Sequence, residues 1–317
     1  ERVGILMRDV FIGKLMELAE NDPRLLLITG DLGFGVFDEF LEKYPDRFLN
    51  AGVAEQNMTG MATGIAMEGR IVFTYSIGNF PVFRCLEQIR NDACYHMANV
   101  KIVSIGGGFS YGSLGISHHA TEDLAVMRSL PNMTIVSPGD LWETQNATEA
   151  LINTEGPCYF RLDKSHACST GRAGEVFQIG KARRLIDGNE LTLMAIGGIL
   201  GVVLKAAEKL EKEGIKCRVV SMHTLKPLDE DEIFDAVQNT GGIITIEEHT
   251  INGGLGGAVA ELCLENGRIP QCFKRIGLQD KFSSLVGDQE FLRKNYEMDD
   301  AYIIFTVKHL LGKTGKR

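Results

Sequence analysis

The chain has 317 residues, a net charge of −9 and seven cysteines; 44% of its residues are hydrophobic and 24% charged. That balance is ordinary for a globular protein with room for two domains, and the acidic surplus argues against nucleic acid or an anionic membrane as the main partner. The cysteines, at 85, 94, 158, 168, 217, 263 and 272, form no C-x-x-C pair, which disfavours a zinc site or disulfide framework and fits a reduced, cytoplasmic compartment.

Apolar spacing predicts a helix over Arg8 to Ala19, stopped by Asn21-Asp22-Pro23. Leu25-Leu26-Leu27-Ile28 is a continuous apolar run, as expected of a parallel strand buried on both faces, and Gly30-Asp31-Leu32-Gly33 follows as a loop. Met58 to Met67 reads as a helix, Ile71 to Tyr75 as a strand, Val82 to Tyr95 as a helix and Lys101 to Ile105 as a strand before Gly106-Gly107-Gly108. Thr134 to Val136 is a strand, and Asp140 is placed to cap the helix through Leu151. Beyond the turn Asp187-Gly188-Asn189 the alternation restarts, with strands at Leu191 to Ile196, Val219 to Met222 and Gly242 to Ile246. Apolar runs are of strand length and interrupted by Gly or charge, so no membrane span or signal peptide is read.

Alternating helices and apolar strands predict an α/β chain of two doubly wound domains with mostly parallel sheets, residues 1–186 and 187–317. In such sheets ligands bind beyond the carboxyl ends of the strands. Several candidates fall there. Glu55, in Asn50-Ala51-Gly52-Val53-Ala54-Glu55-Gln56-Asn57-Met58, opens a helix, where the helix dipole alone would favour an acid. Phe80-Pro81-Val82-Phe83 could be core packing or an aromatic wall. His118, in Ser117-His118-His119-Ala120-Thr121-Glu122, lies in a Gly-rich loop, and loops run over the surface; Glu122 could cap the following helix. Arg161 could ion-pair with Asp163 or bind an anion, with Lys164 and His166 nearby.

Taken together and in order, these motifs resemble the transketolase and 1-deoxyxylulose-5-phosphate synthase family, over its pyrimidine-binding and C-terminal domains. The resemblance implies thiamine diphosphate as cofactor and transfer of a two-carbon ketol unit from a ketose to an aldose. It implies that Glu55 bonds N1′ of the aminopyrimidine, that Phe80 and Phe83 stack on that ring, and that Asp31 lies near the thiazolium. It implies that His118 touches the substrate oxygen and moves protons, and that Arg161 binds the substrate phosphate. It assigns the C-terminal domain, with Glu247-Glu248-His249 and Gly253-Gly254-Leu255-Gly256-Gly257, no catalytic role.

Two departures from the family pattern matter. There is no G-D-G motif for Mg²⁺ and diphosphate, so the metal ligands are expected from a separate N-terminal subunit, in an α2β2 assembly. The family's usual first His falls on Gly106, its sugar-binding Asp on Leu114 and its phosphate-binding Ser on Gly35. A modified ketose, branched, deoxy or sulfonated, is therefore a candidate donor beside the ordinary pentose phosphates. The alternatives are a deoxyxylulose-phosphate-synthase-like subunit, the β subunit of a 2-oxoacid dehydrogenase, and a scaffold without catalysis.

Overall fold

The computed structural model describes residues 5–164 and 166–313. The first half runs α1 (Met7–Asn21), β1 (Leu25–Thr29), α2 (Asp38–Lys43), β2 (Phe48–Asn50), α3 (Glu55–Met67), β3 (Ile71–Ile77), α4 (Phe80–Phe83), α5 (Leu86–Gln88), β4 (Val100–Ile105), α6 (Asp123–Arg128), β5 (Thr134–Val136), α7 (Leu141–Ile152) and β6 (Cys158–Leu162). The second runs β7 (Arg183–Ile186), β8 (Thr192–Ile196), α8 (Leu200–Lys212), β9 (Arg218–Ser221), β10 (Thr224–Lys226), α9 (Glu230–Asn239), β11 (Ile243–Thr250), α10 (Leu255–Glu265), β12 (Phe273–Leu278), α11 (Gln289–Asn295) and α12 (Asp300–Leu310).

These elements form two sheets, ordered β10-β5-β6-β4-β3-β1-β2 and β12-β11-β8-β9-β7. Every pairing is parallel except the edges β10–β5 and β7–β9. The expected pair of mostly parallel α/β layers is what forms. Strands β1 and β8 are buried at every residue, which is why they read as apolar runs rather than alternating ones.

The division between the layers is less simple than the expected break after residue 186. Strand β7, assigned by that break to the first domain, pairs antiparallel with β9 in the second sheet. Strand β10 does the reverse. It follows β9 after two residues and pairs antiparallel with β5 in the first sheet. The His223 carbonyl in that connection accepts from the Ser137 N–H at 2.8 Å. One apolar cluster then runs through both layers, joining Ile28, Ile102 and Tyr159 to Met194, Val220 and Leu255.

Local departures follow from backbone chemistry. The single helix expected over 82–95 breaks at Cys85 (φ −126°, ψ 25°), resumes as α5 and passes into a π-helical turn over Ile89–Cys94. Such turns concentrate near functional sites. Asp140 caps α7 as expected, accepting the Glu143 N–H at 2.7 Å. Glu122 holds the cap position of α6 but its side chain makes no capping bond. All seven cysteines are free. No helix of the described residues is long and apolar enough to cross a membrane.

Candidate active site

From β1 the first sheet grows one way to β2 and the other way to β3, β4 and β6. That reversal opens a crevice at the carboxyl ends of β1 and β3, the usual ligand position in an open α/β sheet. Asp31, Glu55 and Phe80 come from the three chain segments that leave β1, β2 and β3, and His118 from the loop after β4.

Asp31 has φ +59°, an unfavourable conformation for a residue with a Cβ. Asn50, at the end of β2, holds it there. Its Oδ1 accepts the Asp31 N–H at 3.0 Å, and its Nδ2 donates to Asp31 Oδ1 at 3.0 Å. Sequence reasoning passed over Asn50; its place at the end of a strand before Ala51-Gly52 was the available signal.

Glu55 is the first residue of α3 and is 5% exposed. Its Oε1 accepts from Arg84 Nη1 at 2.8 Å. The same guanidinium lies over the Phe80 ring, 3.9 Å from its centroid. A planar, delocalised cation thus sits on an aromatic face while donating an N–H to a buried carboxylate. A protonated aminopyrimidine offers the same two features, so Glu55 and Phe80 fit that part of thiamine diphosphate, with Arg84 standing in for it. Phe83 lies one turn on, is 41% exposed, and contacts no other ring among the described residues.

His118 is half-buried, with its ring 5.2 Å from Phe80 and 6.2 Å from Tyr111. Burial, helped by the nearby His119 and Arg84, pushes its pKa below the usual histidine value and favours the neutral ring. Tyr111 lies over Gly106, where a Cβ would collide with the ring, so glycine at 106 makes room for the tyrosine. Lys164 Nζ sits beside this site, 4.7 Å from the Tyr111 ring centroid. His166 is exposed and its backbone bridges to Leu6.

Arg161 is not available to a substrate anion. It is 1% exposed beneath the loop that follows β4. Its Nε donates to Asp123 Oδ2 at 2.8 Å, and its Nη2 to the carbonyls of Ala120 and Glu248 at 2.8 and 3.0 Å. Tyr159 donates to the same Asp123 oxygen at 2.6 Å. The expected partner Asp163 points elsewhere, toward Gln289 and Arg293, and its carboxyl is pushed up, first by burial and then by Glu248. Arg161 therefore ties the first domain to β11 of the second. Its charge is already neutralised by Asp123, whereas Lys164, beside Tyr111, is exposed.

Among the described residues no cluster of three or more His, Cys, Asp or Glu could hold a metal ion. The Glu55 carboxylate and the Phe80 ring fit the cofactor's aminopyrimidine. Phe34 (76% exposed), Val53 (72%) and Leu114 (52%) stand as bare apolar side chains on the loops around the same crevice.

Residues 4–169 match the family model of the transketolase pyrimidine-binding domain, and residues 180–300 that of the transketolase C-terminal domain. A chain of Methanocaldococcus jannaschii, provisionally named a transketolase C-terminal section, is 39% identical over 310 residues, covering 97% of this chain and 96% of that one. One subunit of the apulose-4-phosphate transketolase of Phocaeicola vulgatus is 35% identical over 311 residues, 98% of each chain. Among solved structures, a split-gene transketolase described as an inactive β4 tetramer superposes with a TM-score of 0.89 at 35% identity, covering 98% of this chain and 100% of that one. Motif order, strand order and these matches agree, and the chain belongs to the transketolase family, whose pyrimidine-binding and C-terminal domains it carries in one polypeptide.

Proposed function

We propose that this chain is the C-terminal subunit of a split, thiamine-diphosphate-dependent transketolase that transfers a two-carbon ketol unit from an anionic ketose to an aldose. The observation that carries the reading is the Arg84 guanidinium bonded to Glu55 and stacked on Phe80, because those two residues then present what an aminopyrimidine requires. When bound, thiamine diphosphate supplies the nucleophilic carbon that attacks the donor carbonyl. Glu55 holds a proton at N1′ of the ring and Phe80 carries its face, with Phe83 as a second wall once covered. Asp31, fixed by Asn50, lies on the thiazolium side. Neutral His118 accepts a proton from a donor hydroxyl or returns one to its oxygen. Lys164, beside Tyr111, takes the anionic end of the sugar in place of Arg161.

The diphosphate and Mg²⁺ belong to a partner subunit bearing the G-D-G motif. The bare Phe34, Val53 and Leu114 fit a surface that such a subunit covers, and covering it removes water from the crevice. Closed two-fold symmetry then gives an α2β2 assembly. A relative solved as an inactive β4 tetramer supports self-association by subunits of this kind. Relatives named as subunits of apulose-4-phosphate transketolases support a phosphorylated sugar as one member of the substrate class.

The experiment is co-expression with a G-D-G-bearing chain, followed by a screen of phosphorylated and sulfonated ketoses with an aldose acceptor. Ketol transfer by the pair and by neither chain alone is expected. Carbon dioxide release from pyruvate would favour the deoxyxylulose-phosphate-synthase alternative, and inactivity of every pairing would leave a scaffold role.

A further inference from the structure

The loop that carries His118 leaves β4 at Gly106 and returns at Ala120, and it is held from the other domain at three points. At its start, Glu248 of β11 accepts the Phe109 N–H, while Gln289 Nε2 donates to the same Glu248 oxygen at 2.9 Å. Gly108 permits this approach. It has φ +59°, and a Cβ there would collide with the Glu248 carboxylate. In the middle, the Gly287 N–H donates to the Gly112 carbonyl at 3.4 Å. At its end, His119 is fully buried against the Ser283 hydroxyl, edge-on to Phe109 at 5.3 Å, and Phe109 is in turn stacked on Tyr296 at 5.4 Å.

The partners of His119 also settle where its proton sits. Nε2 lies 3.1 Å from the Gly112 carbonyl, which can only accept, so Nε2 carries the hydrogen. Nδ1 is then free to accept the Ser283 O–H. One bond thus stays within the substrate loop, and the other reaches it from the second domain.

We infer that the C-terminal domain sets the shape of the donor-binding loop, with Ser283 as a positioning residue that acts through His119 on the adjacent His118. The inference rests on the ketol-transfer reading for its kinetic consequence, though not for the contact itself. Ser283 touches no substrate; it fixes the ring orientation of His119 and therefore the direction in which the next side chain faces the crevice. A domain without catalytic groups thereby contributes to donor recognition.

The test pairs two measurements on Ser283→Ala and His119→Gln. In the chain labelled with nitrogen-15 at histidine, wild type should show one buried ring protonated at Nε2 and hydrogen-bonded at Nδ1, and Ser283→Ala should shift that Nδ1 resonance. In the assembled enzyme, Ser283→Ala should raise the donor KM about three- to tenfold, the loss of one buried hydrogen bond, with kcat and cofactor Kd within about twofold. His119→Gln, whose amide can accept from Ser283 and donate to Gly112, should keep the donor KM near wild type. An unchanged Nδ1 resonance, or a donor KM unaffected by Ser283→Ala, overturns the inference. If the wild-type enzyme transfers ketol from no ketose, the functional reading fails, and the nitrogen resonance alone decides the positioning contact.

Discussion

Replacing Glu55 by Gln separates the catalytic role proposed for this residue from its structural one. The change keeps the side chain's shape at the start of α3 but removes its charge. On the structural side the loss is small. The Arg84 partner is 47% exposed, so the ion pair contributes about 0–1 kcal/mol. Spread over a domain of this size, that lowers the thermal midpoint by about 2–4 °C at most. The substituted amide can still accept the Arg84 N–H through its oxygen, which trims the loss further. On the chemical side the loss is large, because a neutral amide cannot hold a proton at the pyrimidine nitrogen. Turnover should fall by about two to four orders of magnitude, the usual contribution of a positioned acid–base group. The assay is ketol transfer by the reconstituted pair, alongside thermal unfolding of the variant chain. Turnover within a few-fold of wild type, with an unchanged midpoint, would refute the assignment of Glu55.

Arg161→Ala should unfold rather than slow the enzyme, because it strands the fully buried Asp123; the expected loss is about 3–5 kcal/mol by urea denaturation, partly restored in the Arg161→Leu, Asp123→Leu double variant. A stable Arg161→Ala enzyme with only a raised donor KM would return Arg161 to the substrate site. Arg84→Ala removes the competitor for Glu55 and should tighten thiamine diphosphate about two- to fivefold in calorimetry on the assembled enzyme; weaker binding would make Arg84 a cofactor contact instead. Burial lowers the pKa of His118 below 6.5, so the neutral ring persists at and above that pH and is lost only below it. The acid limb of kcat/KM should therefore have its midpoint below pH 6.5 and should vanish from the residual activity of His118→Asn.

Much of this was legible in the sequence. Buried parallel strands carry apolar side chains on both faces, so Leu25–Thr29 and Thr192–Ile196 declare themselves without any partner in view. The crevice residues Asp31, Glu55, Phe80 and His118 could be chosen because strand-end loops are where such sheets bind ligands, and the motif order pointed to one family. What the sequence could not supply were relations between segments far apart along it. Family resemblance put Arg161 at a substrate anion, and sequence proximity offered Asp163 as the alternative partner, whereas its partner in space is Asp123, 38 residues away. Strands β7 and β10 exchange sheets because edge pairing depends on which backbone groups lie opposite, not on local composition. The grip of Ser283 on His119 spans 164 residues, and no local pattern encodes it. Sequence periodicity determined the elements, and the resemblance of the ordered motifs to one family pointed to the class of chemistry; only the packing of one domain on the other decided which charged groups are spent on structure and which still face the crevice.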